Sequence, residues 1–331
     1  MAVKAPCLIV FDMDGVLIDV SGSYRDTVRR MAGLFFKEAI GRQELPRPLF
    51  DLADLAALKE SGGLNNDWDL SFLVIKLLFS LVKGIKPGSS GENWQSYKET
   101  IKSCNVADLA SFLKSNKRPL SMLLSRGAGR ENSFVAGCYR GDVGSGNIIK
   151  QIFQELYLGR ELFEATYKFK ARVYKGEGSI ARERLIPDIE LIEELANSHI
   201  LAVATGRPRQ EADYALKRFK LKPYFQQVLT LDDCIEEEQR LYKAEGREVS
   251  LMKPDPFMLD VIAERVQEEV SSRYYIGDMP DDMRAAGLSQ YPYKGIGLTA
   301  SASEKEELEK KLRAAGAVRV ITGLAELAGI L

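Results

Sequence analysis

The chain has 331 residues, of which 45% are apolar and 28% are charged, and its formal net charge at pH 7 is −1. A chain of this length and apolar content can bury one large core or two medium ones, which excludes a largely disordered protein. Because neither sign of charge dominates a long block, the sequence lacks the sustained basic face of nucleic-acid-binding proteins, and we expect no nucleic-acid partner.

The cysteines and the single histidine indicate which kinds of site and which cellular compartment to expect. Four cysteines are scattered without the paired short spacing of zinc or redox motifs: Cys7, Cys104, Cys138 and Cys234. A chain of this size needs no disulfide bonds, and its amino terminus shows no secretory signal pattern, so we expect a reducing, cytoplasmic location. The longest apolar run, 70–82, contains Lys76 and is shorter than the roughly 20 residues that cross a bilayer, which predicts a buried helix and no membrane partner. The single histidine, His199, precedes a predicted strand and is expected to be structural rather than catalytic.

The first predicted element is a buried parallel strand at residues 7–11, where the sequence reads Cys-Leu-Ile-Val-Phe. Two aspartates, Asp12 and Asp14, follow this strand one residue apart. Keeping two carboxylates at the end of a buried strand is costly because of desolvation and mutual repulsion. On their own the two aspartates are equally consistent with caps of a strand end and with a site that holds a cation or carries out a reaction.

Residues 21–184 show no alternation of strands with helices and are predicted to be mainly helical. The predicted helices span 34–40, 52–59, 70–82, 94–101, 106–113 and 148–157. Residues 125–147 are rich in glycine and polar side chains, which indicates a long loop or a partly ordered flap. Trp68 and Trp94 are expected in the core of this segment. The pattern predicts a helical domain inserted into the chain.

Strands and helices alternate in the remainder of the chain. The predicted strands span 200–204, 228–230, 274–276 and 318–321, and the predicted helices span 189–197, 210–219, 256–268 and 303–314. This alternation predicts an α/β fold with a doubly wound parallel sheet. Ligands of such sheets bind outside the carboxyl ends of the strands, where we expect Asp12, Thr205 and Asp278 to meet.

Four short segments in chain order resemble the four motifs of the haloacid dehalogenase superfamily. They are Asp-Met-Asp-Gly-Val at 12–16, Thr-Gly at 205–206, Lys-Pro-Asp-Pro at 253–256 and Gly-Asp-Met-Pro-Asp-Asp at 277–282. The chain is similar to the type with a helical cap between the first and second motifs. The resemblance implies a Rossmann-like catalytic core formed by 1–20 and 185–331 and an enlarged, mainly α-helical cap domain at 21–184.

The same resemblance implies the roles of the acidic residues. Asp12 would attack phosphorus and form an aspartyl-phosphate, while Asp14 would protonate the leaving oxygen and then activate water. Mg²⁺ is the expected cofactor, because it prefers oxygen ligands and commonly sits between carboxylates and a substrate phosphate. Its ligands would come from Asp12, the backbone carbonyl of Asp14, and Asp278, with Asp282 supporting the site. Asp281 is the alternative to Asp282 for this supporting role. We favour Asp282, because the Met-Arg-Ala-Ala that follows it matches the helix of the family in that register.

Polar and basic residues complete the expected substrate site. Thr205 and the amide of Gly206 would hold the phosphate, and Lys253 would neutralise the charge that the nucleophile and the phosphate share. Arg207 could contact an anionic part of the substrate through its planar guanidinium, and a surface salt bridge is an equally good interpretation.

The leading functional prediction is a Mg²⁺-dependent phosphatase acting on a small phosphorylated metabolite, such as a sugar or hydroxyacid phosphate. A phosphomutase of the same superfamily keeps both aspartates of the first motif and would depend on a bisphosphate activator. A haloacid dehalogenase proper typically carries a different residue at the position of Asp14, so the presence of Asp14 favours a phosphatase over a dehalogenase. A non-catalytic binding or regulatory protein on the same scaffold is a further alternative. The sequence leaves the oligomeric state open.

Overall fold

A computed structural model describes residues 5–62, 66–85, 89, 91–129, 132–302 and 304–331. The chain folds into two compact units, which we call the core unit (Met1–Val20 and Arg184–Leu331) and the inserted unit (Ser21–Glu183). Arg184, which the sequence pattern assigns to the insertion, lies instead in the core unit, where it pairs with Asp19 in a short antiparallel ribbon.

The elements are numbered in chain order. The strands are β1 (Cys7–Phe11), β2 (Ile18–Asp19), β3 (Arg184–Leu185), β4 (Ile200–Ala204), β5 (Gln227–Leu229), β6 (Ser272–Gly277), β7 (Tyr293–Leu298) and β8 (Arg319–Ile321). The helices are α1 (Tyr24–Phe35), α2 (Leu52–Gly62), α3 (Asp67–Phe79), α4 (Trp94–Ser103), α5 (Ala107–Ser115), α6 (Pro119–Ser125), α7 (Ser133–Gly137), α8 (Ile148–Tyr167), α9 (Ile189–Ser198), α10 (Arg209–Arg218), α11 (Leu231–Glu245), α12 (Phe257–Arg265), α13 (Pro280–Leu288) and α14 (Lys305–Ala314). Short 3₁₀ helices span Arg42–Glu44, Ser179–Arg182, Lys222–Tyr224 and Leu324–Gly329.

The core unit is built on a six-stranded parallel sheet in the order β5-β4-β1-β6-β7-β8. The central strand β1 is buried on both faces, because Ile9 and Phe11 pack into one apolar cluster and Leu8 and Val10 into another. Helices α9 and α10 contribute to the first cluster, and α12 and α13 to the second. The predicted α/β fold with a parallel, doubly wound sheet is confirmed.

Strand β7 was not predicted, although the other five strands of this sheet were. Gly295 and Gly297 interrupt its apolar pattern, which weakens the signal of a strand in the sequence. The structure explains the glycines, because a Cβ on Gly297 would lie only 2.8 Å from Leu312 of α14, and one on Gly295 only 3.1 Å from Met283 of α13. These glycines let two helices pack closely on the sheet.

The inserted unit contains α1–α8 in its described residues. The prediction of a helix at 34–40 was wrong, because helix α1 ends at Phe35 and buries an earlier stripe formed by Val28, Met31, Ala32 and Phe35. Within the predicted loop 125–147 the structure has helix α7, while residues 130–131 lie outside the described part of the chain. Among the described residues, no helix combines the length and the apolar content needed to span a bilayer.

Candidate active site

The expected site residues lie at the carboxyl ends of three neighbouring strands of the sheet. Asp12 follows β1, Thr205 follows β4 and Asp278 follows β6, and β1 lies between the other two strands. The backbone amide of Asp12 donates to the carbonyl of Ile276 at 2.8 Å, so the chain at Asp12 continues the pairing with β6. Parallel pairing therefore brings together residues that are far apart in the sequence.

Three carboxylates form the acidic cluster of the site, which consists of Asp12, Asp278 and Asp282. One oxygen from each residue lies within 4.8 Å of the others. Asp282 is fixed in the first turn of α13, where its Oδ2 accepts a hydrogen bond of 2.9 Å from the amide of Met279. Asp281 instead pairs with Arg284 on the same helix, so Asp282 is the member of this acidic pair that reaches the cluster.

Two glycines make room for these carboxylates. Gly15 has a φ of 74°, and a Cβ at this position would overlap the carboxylate of Asp278. A Cβ on Gly277 would overlap the carboxylate of Asp282. The positive φ and the close approach both require glycine at position 15.

Lys253 is the cation that faces this cluster. Its Nζ lies 2.9 Å from Oδ1 of Asp12 and 2.7 Å from Oδ1 of Asp282. Nζ also donates to the hydroxyl of Tyr275 at 3.0 Å, and this hydroxyl donates to Oδ1 of Asp282 at 2.9 Å. Tyr275 was not among the predicted site residues, because a tyrosine within an apolar strand is typical of core packing.

Burial and repulsion raise the pKa values of Asp12 and Asp278. Burial raises the pKa of Asp12 from 3.8 to about 7, with further increases from Asp282 and Asp14, while Lys253 acts in the opposite direction. Burial also raises the pKa of Asp278 well above its usual value, assisted by Asp282 and Asp12. Burial alone would lower the pKa of Lys253, but Asp12 and Asp282 outweigh it and hold this pKa well above 10.5. The lysine therefore remains charged at neutral pH.

The acidic cluster fits a hard divalent cation. Its donor atoms are all carboxylate oxygens, which Mg²⁺ prefers, and the three carboxylates face the single positive charge of Lys253. A divalent cation would supply further positive charge.

Asp14, which is not part of the acidic cluster, pairs with a second cation. Its Oδ1 accepts from Nε of Arg207 at 2.6 Å and lies 2.5 Å from Nη2 of the same residue. Arg207 is only 1% exposed, and its ion pair with Asp14 therefore joins a buried guanidinium to a partly exposed carboxylate.

The second motif forms a tight turn after β4. Thr205 is buried, its amide donates to the carbonyl of Leu229 at 3.0 Å, and its Oγ1 accepts from the amide of Arg207 at 3.2 Å. Gly206 is exposed, and a Cβ there would have no neighbour within 4 Å.

His199 lies at the opposite end of the strands, where its Nδ1 accepts from the amide of Cys7, in keeping with a structural role.

Comparisons with known proteins identify the family. The family model described as haloacid dehalogenase-like hydrolase matches residues 8–288. An X-ray structure determined as a structural-genomics target aligns with 99% of this chain and 98% of its own, at 21% identity and a TM-score of 0.65. Phosphatase Tt82 from Thermococcus thioreducens aligns with 92% of this chain and 99% of its own, at 20% identity and a TM-score of 0.51. The comparison with curated proteins found no match. At these identities the solved structures support the fold, and the family match extends over most of the chain, which therefore belongs to the haloacid dehalogenase-like hydrolases.

Proposed function

We propose that this hydrolase is a Mg²⁺-dependent phosphatase of small phosphorylated metabolites, such as sugar or hydroxyacid phosphates. The observation that carries the proposal is the contact of Lys253 with Asp12 beside two further carboxylates at the strand ends. This arrangement offers an oxygen nucleophile, a fixed positive charge and oxygen ligands for a cation within one site. We also propose that the core unit carries the chemistry and that the inserted unit is the cap domain of the family.

In the first step a carboxylate oxygen of Asp12 attacks phosphorus. The new bond joins this oxygen to phosphorus, the bond from phosphorus to the ester oxygen breaks, and Asp14 gives its proton to the leaving alcohol. Lys253 offsets the negative charge that gathers around Asp12 and the phosphoryl group. The Thr205 hydroxyl and the Gly206 amide would donate to phosphoryl oxygens.

In the second step water releases the phosphate. The ionised Asp14 accepts a proton from water as the water oxygen bonds to phosphorus, and the bond between phosphorus and Asp12 breaks. Both carboxylates return to their starting state, so the net reaction converts a phosphate ester and water into an alcohol and phosphate.

Mg²⁺ would be held by Asp12, the backbone carbonyl of Asp14 and Asp278. When bound, it would neutralise and orient the phosphoryl group. Both carboxylate oxygens of Asp282 already accept hydrogen bonds from the protein, so Asp282 would support the cation and Lys253 together.

The test is the release of phosphate from a nitrophenyl phosphate with and without Mg²⁺. We expect Mg²⁺-dependent turnover in the wild type and its loss in Asp12→Asn. Asp213→Asn, which removes one partner of the exposed Lys222–Asp213 ion pair, serves as the matched control and should retain activity. Turnover that requires a bisphosphate activator would instead indicate a phosphomutase, and activity in Asp12→Asn would refute Asp12 as the nucleophile.

A further inference from the structure

Arg207 is among the largest fully buried side chains of the described residues, although it carries a permanent charge. Its backbone is fixed on both sides. The amide donates to Oγ1 of Thr205 at 3.2 Å, and the carbonyl accepts from the amide of Leu231, the first residue of α11, at 3.0 Å. Burying a charged group is costly unless it is paired, so the interactions of this guanidinium are expected to matter to the protein.

The guanidinium reaches the second aspartate of the first motif, which lies 193 positions earlier in the chain. Nε and Nη2 both contact Oδ1 of Asp14, at 2.6 Å and 2.5 Å. The side chain of Asp14 is 34% exposed, whereas that of Arg207 is 1% exposed. The arginine is therefore the buried member of the pair, and Asp14 is the member that solvent can reach.

The geometry also distinguishes the two oxygens of Asp14. An arginine has donors and no acceptor, so an oxygen that it holds acts as an acceptor whether the carboxyl group is ionised or protonated. The contacts of Arg207 with Asp14 are both made to Oδ1, which leaves the other oxygen, Oδ2, to the reacting groups. Because Nε donates to this oxygen from a buried and backbone-anchored residue, the arginine fixes the side on which Oδ1 lies.

We infer that Arg207 is a positioning residue that orients Asp14 so that Oδ2 carries the proton to and from the reacting groups. This inference rests on the proposed phosphatase function. Oδ2 gives its proton to the ester oxygen as the bond from that oxygen to phosphorus breaks, and it accepts a proton from the attacking water in the second step. The two aspartates of the first motif thus contact different cations, Asp12 with Lys253 and Asp14 with Arg207.

A series of leaving groups separates this role from a direct contact with substrate. A nitrophenolate leaves readily without a proton, whereas the alkoxide of an alkyl phosphate needs one. We expect Arg207→Met to lower kcat for an alkyl phosphate by about 100-fold, in the range of general acid catalysis, and for nitrophenyl phosphate by only a few fold. Arg207→Lys should recover part of the loss, because one donor returns without the planar geometry.

A double-mutant cycle with Asp14→Asn completes the test. We expect Arg207→Met to cause little further loss of alkyl phosphatase activity in the Asp14→Asn background, because the positioned proton donor is already absent. Circular dichroism and thermal unfolding check that each variant is folded, and if Arg207→Met does not fold, Arg207→Lys and Arg207→Gln carry the same comparison.

Each outcome has a distinct meaning. Equal losses for both leaving groups, a raised KM with unchanged kcat, or a full additional loss in the Asp14→Asn background would overturn the positioning role and favour a substrate contact. These results would leave the phosphatase assignment intact. A wild type that releases no phosphate from nitrophenyl phosphate in Mg²⁺ would overturn the proposed function and this inference with it.

Discussion

The Nζ atom of Lys253 lies 2.9 Å from Oδ1 of Asp12, the first residue after strand β1. Both side chains are largely buried, and the same Nζ lies 2.7 Å from Asp282. One lysine thus compensates part of the negative charge of two carboxylates. The predictions for the site follow from this shared charge.

Replacement of Lys253 by methionine should leave Asp12 and Asp282 without their shared cation. We expect kcat for nitrophenyl phosphate in saturating Mg²⁺ to fall by about 100- to 1,000-fold, as for the loss of one preorganised electrostatic group. Tyr275→Phe removes only a neutral hydroxyl from the same network and should cost at most about tenfold. Lys243→Met, at an exposed position of α11, is the surface control. A loss in Tyr275→Phe as large as that in Lys253→Met would contradict the charge argument.

The metal-free protein should lose stability as the pH rises through the range in which Asp12 titrates. Its pKa is raised from 3.8 to about 7 in the fold, mainly by burial, so between these values the folded protein holds a proton that the unfolded chain has released. The free energy of unfolding contributed by Asp12 therefore falls with a slope of up to about 1.4 kcal/mol per pH unit, and the loss is complete above the folded pKa.

Comparison with Asp12→Asn reports this contribution together with the effect of the Asp12 charge on the pKa of Asp278, because asparagine does not titrate. In urea unfolding without metal, the free energy of unfolding of the wild type should decrease relative to that of Asp12→Asn as the pH rises from about 4 to about 7. A difference that does not change with pH would show that the folded environment does not raise the pKa of Asp12.

Gly15→Ala should disrupt the acidic cluster without removing a charged group. The new methyl group would overlap the carboxylate of Asp278, and the φ of 74° is unfavourable for alanine. We expect weaker Mg²⁺ binding in calorimetry and a lower melting temperature. Gly287→Ala in α13 is the matched control, because a Cβ there has no neighbour within 4 Å, and it should leave Mg²⁺ binding unchanged and stabilise the helix by up to about 1 kcal/mol. Unchanged Mg²⁺ affinity in Gly15→Ala would show that Asp278 is not needed in its observed position.

The inserted unit should depend on a buried carboxylate in α8. Glu155 accepts hydrogen bonds from the amides of Arg172, Val173 and Tyr174 at 2.9, 2.6 and 3.0 Å, and thereby ties this segment to the helix. We expect Glu155→Gln to destabilise the protein by about 2–3 kcal/mol and to speed hydrogen exchange at these amides, because an uncharged amide replaces the charged acceptor. Glu161→Gln, at an exposed position of the same helix, should have little effect. Unchanged exchange in Glu155→Gln would refute this anchoring role.

The sequence allowed the sheet and the ends of its strands to be predicted because continuous apolar runs are interrupted where polar residues begin. Asp12, Thr205 and Asp278 each follow such a run, and parallel pairing then brings them to one edge. Strand β7 was not predicted because Gly295 and Gly297 interrupt its run of apolar residues. Both positions are glycine because helices pack closely against them. The helix α1 was predicted too late in the sequence. Phe36 and Ala39 are buried apolar residues that lie beyond its end, and they extend the apolar pattern past the helix.

Pairings between distant side chains were the least predictable part of the site. Nothing near Arg207 in the sequence indicates that its guanidinium is buried against Asp14, since that contact depends on the neighbouring positions of β1 and β4. Tyr275 is similar, because its ring belongs to the apolar core while its hydroxyl joins the network of Lys253 and Asp282.

The most direct measurement of the central claim is a rapid acid quench that detects a phosphoryl group bound covalently to the protein. With phosphorus-labelled nitrophenyl phosphate and Mg²⁺, we expect label to accumulate on Asp14→Asn, in which the first step survives and the activation of water is impaired. Asp12→Asn should acquire no label. Covalent label on Asp12→Asn, or release of nitrophenolate by Asp14→Asn without any covalent label, would contradict an aspartyl-phosphate on Asp12.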